Sequence, residues 1–336
     1  MAKIKIIGTG IYVPGPPIDN DEVKKLTGVE FDSEKIRTKI GISKRHIAHL
    51  KNINETSADF ATYSCMNAIK SAKLDPKAIN LFVVGSDTPE YISPATSILV
   101  QGRIQEGETY AGAFDISASC ASFTKAFHTV SMLMKSDPSI EYAAVTGVYN
   151  MPAFIRPGDA FGYSIFADGA GTIILKRCDD DESSDYQTGQ FMTDGTQWDY
   201  IGVYHGGTKN PAKHNALEND KWGLELLKRL PPDRNIRLWP VVANKLCEKA
   251  GIDITDIDHM IFTQINRSVI EEVVKILGRS MEDTTCVMDR YGYTGSACIP
   301  MAFHHAVLDK KIKRGNKIML IASGSGFAVG GNIFTY

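Results

Sequence analysis

No two of the six cysteines form a CxxC pair: Cys65, Cys120, Cys178, Cys247, Cys286 and Cys298 stand far apart. That spacing gives neither a disulfide framework nor a zinc site of paired ligands, and fits reduced thiols in the cytosol. Also lacking is an apolar run of the roughly 20 residues a spanning helix needs. The first residues, "MAKIKIIGTGIYVPG", hold only a short strand-like core, so neither a membrane span nor a targeting segment is expected. The expectation is a soluble, cytoplasmic protein. Charge of one sign is missing as well: 37 basic against 39 acidic residues leave a formal net charge of -2. No field is present to draw nucleic acid or an anionic membrane. The eight histidines are scattered except for His304 and His305, and adjacent side chains on a helix point different ways, so no metal site is expected.

What is present is an ordinary globular composition over 336 residues, enough for a large core in two halves. The first half, 1–178, alternates short apolar strands with amphipathic helices: "KIKIIGTGIYV", "SADFATYSCMNAIKSAKL", "INLFVVGSD", "SPATSILVQGRI", "GAFDIS" and, later, "EYAAVTGV" and "GAGTIILKR". This is a βαβ-rich pattern with mostly buried strands. Residues 179–238 differ, with the acidic "DDDESSDYQTGQ" and the polar "HGGTKNPAKHNALENDKWG". They are expected to be a connecting loop or insertion. From 239 to 336 the α/β rhythm returns. "FDISASCASFTKAF" and "MIFTQINRSVIEEV" sit at comparable places in the two halves, which points to a duplicated fold.

Cys120 lies among small residues between a strand and a helix. There the free N–H groups and positive dipole end of the helix favour thiolate over thiol. Ser117, Ala118, Ser119, Ala121 and Ser122 leave room for a substrate. A buried structural cysteine is the bland alternative.

From end to end the chain resembles β-ketoacyl-acyl-carrier-protein synthase III of the thiolase superfamily. The segments "IIGTGIYVP", "TKIGISKRHIA", "FDISASCASFT", "FADGAG", "DRYGYTGSACIPMAF" and "GSGFAVGG" fall in that family's order. The resemblance implies an α/β, five-layer αβαβα thiolase-like fold of two related halves, assembled as a homodimer. It implies that Cys120 accepts an acyl group from a thioester and passes it on. The amides of Cys120 and Ser325 would form the oxyanion hole. The donor would be an acyl-coenzyme A or an acyl-carrier protein, with no further cofactor.

The chain also departs from that family. In "FTQIN" Thr263 stands where the resemblance places a catalytic histidine, with Asn266 kept as a substrate-binding residue. In "GYT" Tyr293 stands where it places an asparagine. Each hydroxyl can donate one hydrogen bond, but neither takes up a proton readily near neutral pH. Decarboxylation of a malonyl thioester is therefore not expected to be efficient. His205, in "YHGGTKNP", is the candidate replacement proton carrier, with His214 nine residues on, whereas His128 is expected to be packing and His259 too far along its strand. Lys35 replaces a tryptophan that stacks on adenine, so it can meet phosphate but offers no aromatic face. Ser93 replaces a phenylalanine that limits acyl length, which leaves a roomier pocket. The leading expectation is acyl transfer to an amine, alcohol or activated carbon. Carbon–carbon condensation with altered donors and an idle subunit paired with an active homologue are the alternatives. "FADGAG" is expected to be a strand-edge turn, and "DKKIKRGNK" a solvated helix end open to an acidic carrier protein.

Overall fold

The computed structural model describes residues 2–107, 109–178, 183–212 and 222–336. Its first sheet contains β1 (Lys3–Tyr12), β2 (Leu81–Gly85), β3 (Gly112–Ile116), β4 (Tyr142–Tyr149) and β5 (Gly169–Cys178), in the order β1-β5-β4-β2-β3. β4, β2 and β3 run parallel, and β5 is antiparallel to both of its neighbours. The second sheet contains β6 (Asp185–Gln197), β7 (His259–Phe262), β8 (Lys317–Gly324) and β9 (Gly326–Thr335), in the order β7-β8-β9-β6. Its pairing repeats the first: β7 and β8 are parallel, and β9 is antiparallel to β8 and β6. The counterpart of β3 is reduced to one parallel bridge between Met260 and Thr284. The central strands are covered on both faces, which is why "LFVVG" and "HMIF" read as apolar runs rather than alternations.

Six helices complete five layers. α1 (Ser57–Ala72) and α2 (Thr96–Gln105) cover the outer face of the first sheet. α4 (Arg234–Ala250) and α5 (Arg267–Ile276) form the outer layer on the second. Between the sheets lie α3 (Ser122–Ser136) and α6 (Cys298–Leu308), which touch both. α6, "CIPMAFHHAVL", is buried over most of its surface, as a helix apolar all round must be. "FADGAG" leads into β5, and a Cβ on Gly171 would meet the Met301 amide at 2.9 Å, so glycine lets α6 close on the sheet. The duplicated five-layer architecture is the one expected.

Two expectations change. Residues 179–238 are more than a connection, because Asp185–Gln197 is a full strand paired with β9 along its length. Backbone pairing sets that strand, and its polar, glycine-bearing sequence hides it from a reading by apolar pattern. Residues 179–182 and 213–221, including His214, lie outside the described residues. The internal correspondence also shifts. "FTQIN" follows β7, so its counterpart is the segment after β2. The Cys120 turn follows β3, whose counterpart starts at Thr284.

Candidate active site

Cys120 occupies the turn from β3 into α3 and is 8% exposed. Ser119 takes a φ of 52° there, the left-handed region that side chains rarely adopt and that a surrounding network must hold. The holding bonds are short. The Ala118 amide donates to Ser122 Oγ at 2.8 Å, and Ser296 Oγ donates to the Ser119 carbonyl at 3.1 Å. Tyr149, at the end of β4, and Tyr293 line the same cavity as Cys120, and their hydroxyls favour its charged form. Ser119 Oγ lies 3.7 Å from Sγ and donates to Asp87 Oδ2 at 2.9 Å. Ser325, between β8 and β9, donates to Ser119 Oγ at 3.0 Å.

The expected thiolate is not the resting form of Cys120. Burial pushes the thiol from 9.0 up to about 12, the Asp87 charge adds to the rise, and the bonds from Tyr293, Ser119 and Tyr149 offset only part of it. The magnitudes explain why the helix does not prevail. Three pKa units correspond to about 4 kcal/mol, whereas a helix terminus contributes about 0.3–2 kcal/mol. A proton must therefore leave the thiol during reaction.

Cys120, Thr263, Asn266, Tyr293 and Ser325 line one cavity of about 680 Å³. Thr263 Oγ1 accepts the Ser323 amide hydrogen at 2.8 Å, which leaves its own O–H to donate. Asn266 caps α5, with Oδ1 accepting from the Ser268 amide and hydroxyl. Part of the wall comes from the 179–238 region, through Ile201–Val203 and Leu224.

Models of 3-oxoacyl-[acyl-carrier-protein] synthase III match residues 114–195, and models of its C-terminal region match 247–336. A β-ketoacyl-[acyl-carrier-protein] synthase III of Xanthomonas campestris pv. campestris is 30% identical over 99% of this chain and 98% of its own. The chain belongs to the β-ketoacyl-acyl-carrier-protein synthase III family of acyl-condensing enzymes. A synthase III of Clostridium acetobutylicum is 29% identical over 100% of this chain and 99% of its own. The crystal structure of the Aquifex aeolicus synthase III superposes with a TM-score of 0.85 at 27% identity, covering 99% of this chain and all of that one.

Among the described residues no histidine lines the cavity. His205 is a correction. It lies beyond the wall that ends at Val203, with Nδ1 3.6 Å from Glu225 Oε1, and Glu225 also pairs with Arg156 at 2.9 Å. His128 hydrogen-bonds to Tyr186 at 2.8 Å inside the core network, and His259 to Thr285 at 2.8 Å. Lys35 is exposed at the end of the helix Ser33–Lys35 and does not line the cavity, although Ile40 of the next turn does. Ser93 is exposed in the loop after β2, outside this chain's cavity wall. No helix among the described residues is long and apolar enough to cross a membrane.

Sequence reasoning missed Asp87 and Tyr149 as members of the site and took Ser119 only as a small neighbour of Cys120. The available signal was weak: an acid just past the C-terminal end of a buried parallel strand, where α/β sheets place their ligands. Burial raises the Asp87 carboxyl from 3.8 to about 6. A carboxyl raised on folding holds its proton more tightly in the native state, so it costs nothing below about pH 4 and its full penalty above about pH 6. Two units correspond to about 3 kcal/mol. Asp87→Asn, whose amide oxygen still accepts from Ser119, is therefore expected to melt higher than wild type at pH 7.5 and equally at pH 3.5. Thermal denaturation at the two pH values checks this, and a gain of equal size at both contradicts it.

Proposed function

We propose that Cys120 accepts an acyl group from a thioester of coenzyme A or carrier-protein phosphopantetheine and passes it to an amine, alcohol or activated carbon. The observation that carries this reading is a buried cysteine at a roomy, largely apolar cavity that Tyr149 and Tyr293 also line, with no histidine in the described wall. Sγ attacks the thioester carbonyl. The Cys120 and Ser325 amides receive the oxyanion, and a preorganised pair of such donors is the largest single aid to acyl transfer. The volume, within the range of small-molecule sites, fits a longer, branched or aromatic acyl chain. Exposed Tyr91 and Ile92, beside Ser93, support pairing of two copies through this loop.

Incubation with acyl-coenzyme A and acyl-carrier-protein donors is expected to add one acyl mass per chain, and Cys120→Ala to abolish the adduct. Intact-protein mass spectrometry reads the result. No adduct across a broad donor panel would favour the idle-subunit alternative. Carbon–carbon condensation is the second reading, supported by the names of the relatives and by Tyr293 and Thr263, two hydroxyl donors at the same cavity.

A further inference from the structure

We propose that Asp87 is the proton carrier of this site, taking the Cys120 proton through the Ser119 hydroxyl and later the proton of the acyl acceptor. The inference rests on acyl transfer at Cys120. Four observations carry it. Asp87 is the one carboxylate among the described residues that line the cavity, and no histidine competes with it there. Ser119 Oγ bridges the two groups, 3.7 Å from Sγ and 2.9 Å from Oδ2. The hydrogen-bonding capacity of this hydroxyl suits a relay: its one proton is shared between Asp87 and the sulfur, it accepts from Ser325 at 3.0 Å, and its second lone pair takes the thiol proton as its own moves to Asp87. Asp87 Oδ1 is buried with no hydrogen-bond partner among the described residues. An unpaired buried carboxylate oxygen is costly to keep, which leaves Asp87 with unused capacity for a proton.

The proton count closes. As Sγ bonds to the thioester carbon, the S–H proton moves to Ser119 Oγ and the Ser119 proton moves to Asp87 Oδ2. Collapse of the oxyanion breaks the donor C–S bond, and the departing thiolate takes that proton from Asp87. In the second half, Asp87 removes a proton from the acceptor's N–H, O–H or activated C–H as that atom bonds to the acyl carbon. The released Cys120 thiolate regains a proton along the same line.

The groups facing Asp87 are Cys120 and Tyr149, each negative when ionised, together with the Ser119 hydroxyl. Lys125 and Arg234 are the cations of the described wall, Lys125 lying over the Phe191 ring and Arg234 over those of Tyr200 and Phe327. A carboxyl raised to about 6 is ionised at neutral pH and still a stronger base than an exposed aspartate.

The test compares wild type, Asp87→Asn, Asp87→Glu and Ser119→Ala by two rates, each followed from about pH 5 to 9. One is acyl mass gain; the other is iodoacetamide labelling of Cys120, read at the peptide. Wild-type rates are expected to rise through about pH 6. Asp87→Asn is expected to acylate about 100-fold more slowly and to lose that rise, with partial recovery in Asp87→Glu and slowing of about ten-fold or more in Ser119→Ala. Labelling separates proton transfer from simple charge. Removing a neighbouring negative charge lowers a thiol pKa and speeds labelling, whereas removing the proton acceptor slows it. A folded Asp87→Asn protein, by its melting curve, that labels as fast as wild type or faster overturns the proposal. If wild type gains no acyl mass from any donor, the acyl-transfer reading fails, and labelling still decides whether Asp87 takes the Cys120 proton.

Discussion

Carbon dioxide release from malonyl-coenzyme A or malonyl-carrier protein is expected to be at least about a hundred-fold faster in Thr263→His/Tyr293→Asn than in the wild-type protein. The developing enolate oxygen needs preorganised donors, and losing one costs about 3–4 kcal/mol, roughly a hundred- to thousand-fold in rate. Thr263 retains one donatable proton at the cavity. Tyr293 has its ring buried at 6.2 Å from Tyr149 and 5.8 Å from Phe166, centroid to centroid, and its hydroxyl favours the charged form of Cys120. Burial and the Cys120 charge hold its phenol well above the usual range, so it stays neutral and neither takes nor gives a proton. Its bulk also occupies space that an asparagine would leave to a malonyl carboxylate. Acyl transfer to the native acceptor is not expected to improve in the double variant. Thr263→His alone, which keeps the aromatic packing, controls for lost stability. Wild-type release as fast as that of the double variant would replace acyl transfer with the condensing reading.

How the site comes together explains why only part of it is legible in the chain. Cys120 shows itself because a cysteine between a strand and a helix, set in six ordered family segments, is a specific pattern. Asp87 does not, because in sequence it is one more acid in a turn. Its meaning comes from register: Gly85 of β2 pairs with Ile116 of β3 in parallel, so the residues just beyond each leave the same edge of the sheet together. Asp87 and Ser119 meet there, 32 positions apart in the chain. Tyr149 arrives by the same geometry, because β4 runs parallel to β2 on its other side and pairs Gly147 with Gly85. The reverse error, His205, follows from the same cause. A histidine in a polar loop looks available, yet only Ile201–Val203 of that stretch reach the wall, and His205, two residues on, faces Glu225 instead. Strand β6 escaped because ladder bonds with β9, rather than apolar side chains, hold it in the sheet.

Gly295→Ala is expected to cost about 2–5 kcal/mol of stability and to slow Cys120 acylation about ten-fold or more, whereas Gly158→Ala is expected to lose only about 1–2 kcal/mol and acylate normally. Both glycines adopt positive φ, 44° and 80°, so an L side chain meets the left-handed penalty at each. Their surroundings differ. A Cβ on Gly158 would meet nothing within 4 Å, while one on Gly295 would fall within the van der Waals envelope of Tyr149, against Cδ2, Cε2 and Cζ. Tyr149 is 1% exposed and boxed in by Phe166 and Tyr293, so its ring has no free direction in which to retreat. Overpacking of this kind costs about 1–3 kcal/mol beyond the backbone strain. Any shift of the ring moves its hydroxyl relative to the Cys120 thiol, whose charged form that hydroxyl favours. For a chain of this length the combined loss corresponds to a fall in melting temperature of roughly 3–7 °C. Melting curves and acylation rates of the two variants separate the terms: equal losses in both would show that the contact with Tyr149 contributes nothing, and an unchanged acylation rate in Gly295→Ala would show that the Tyr149 hydroxyl is not needed at the sulfur.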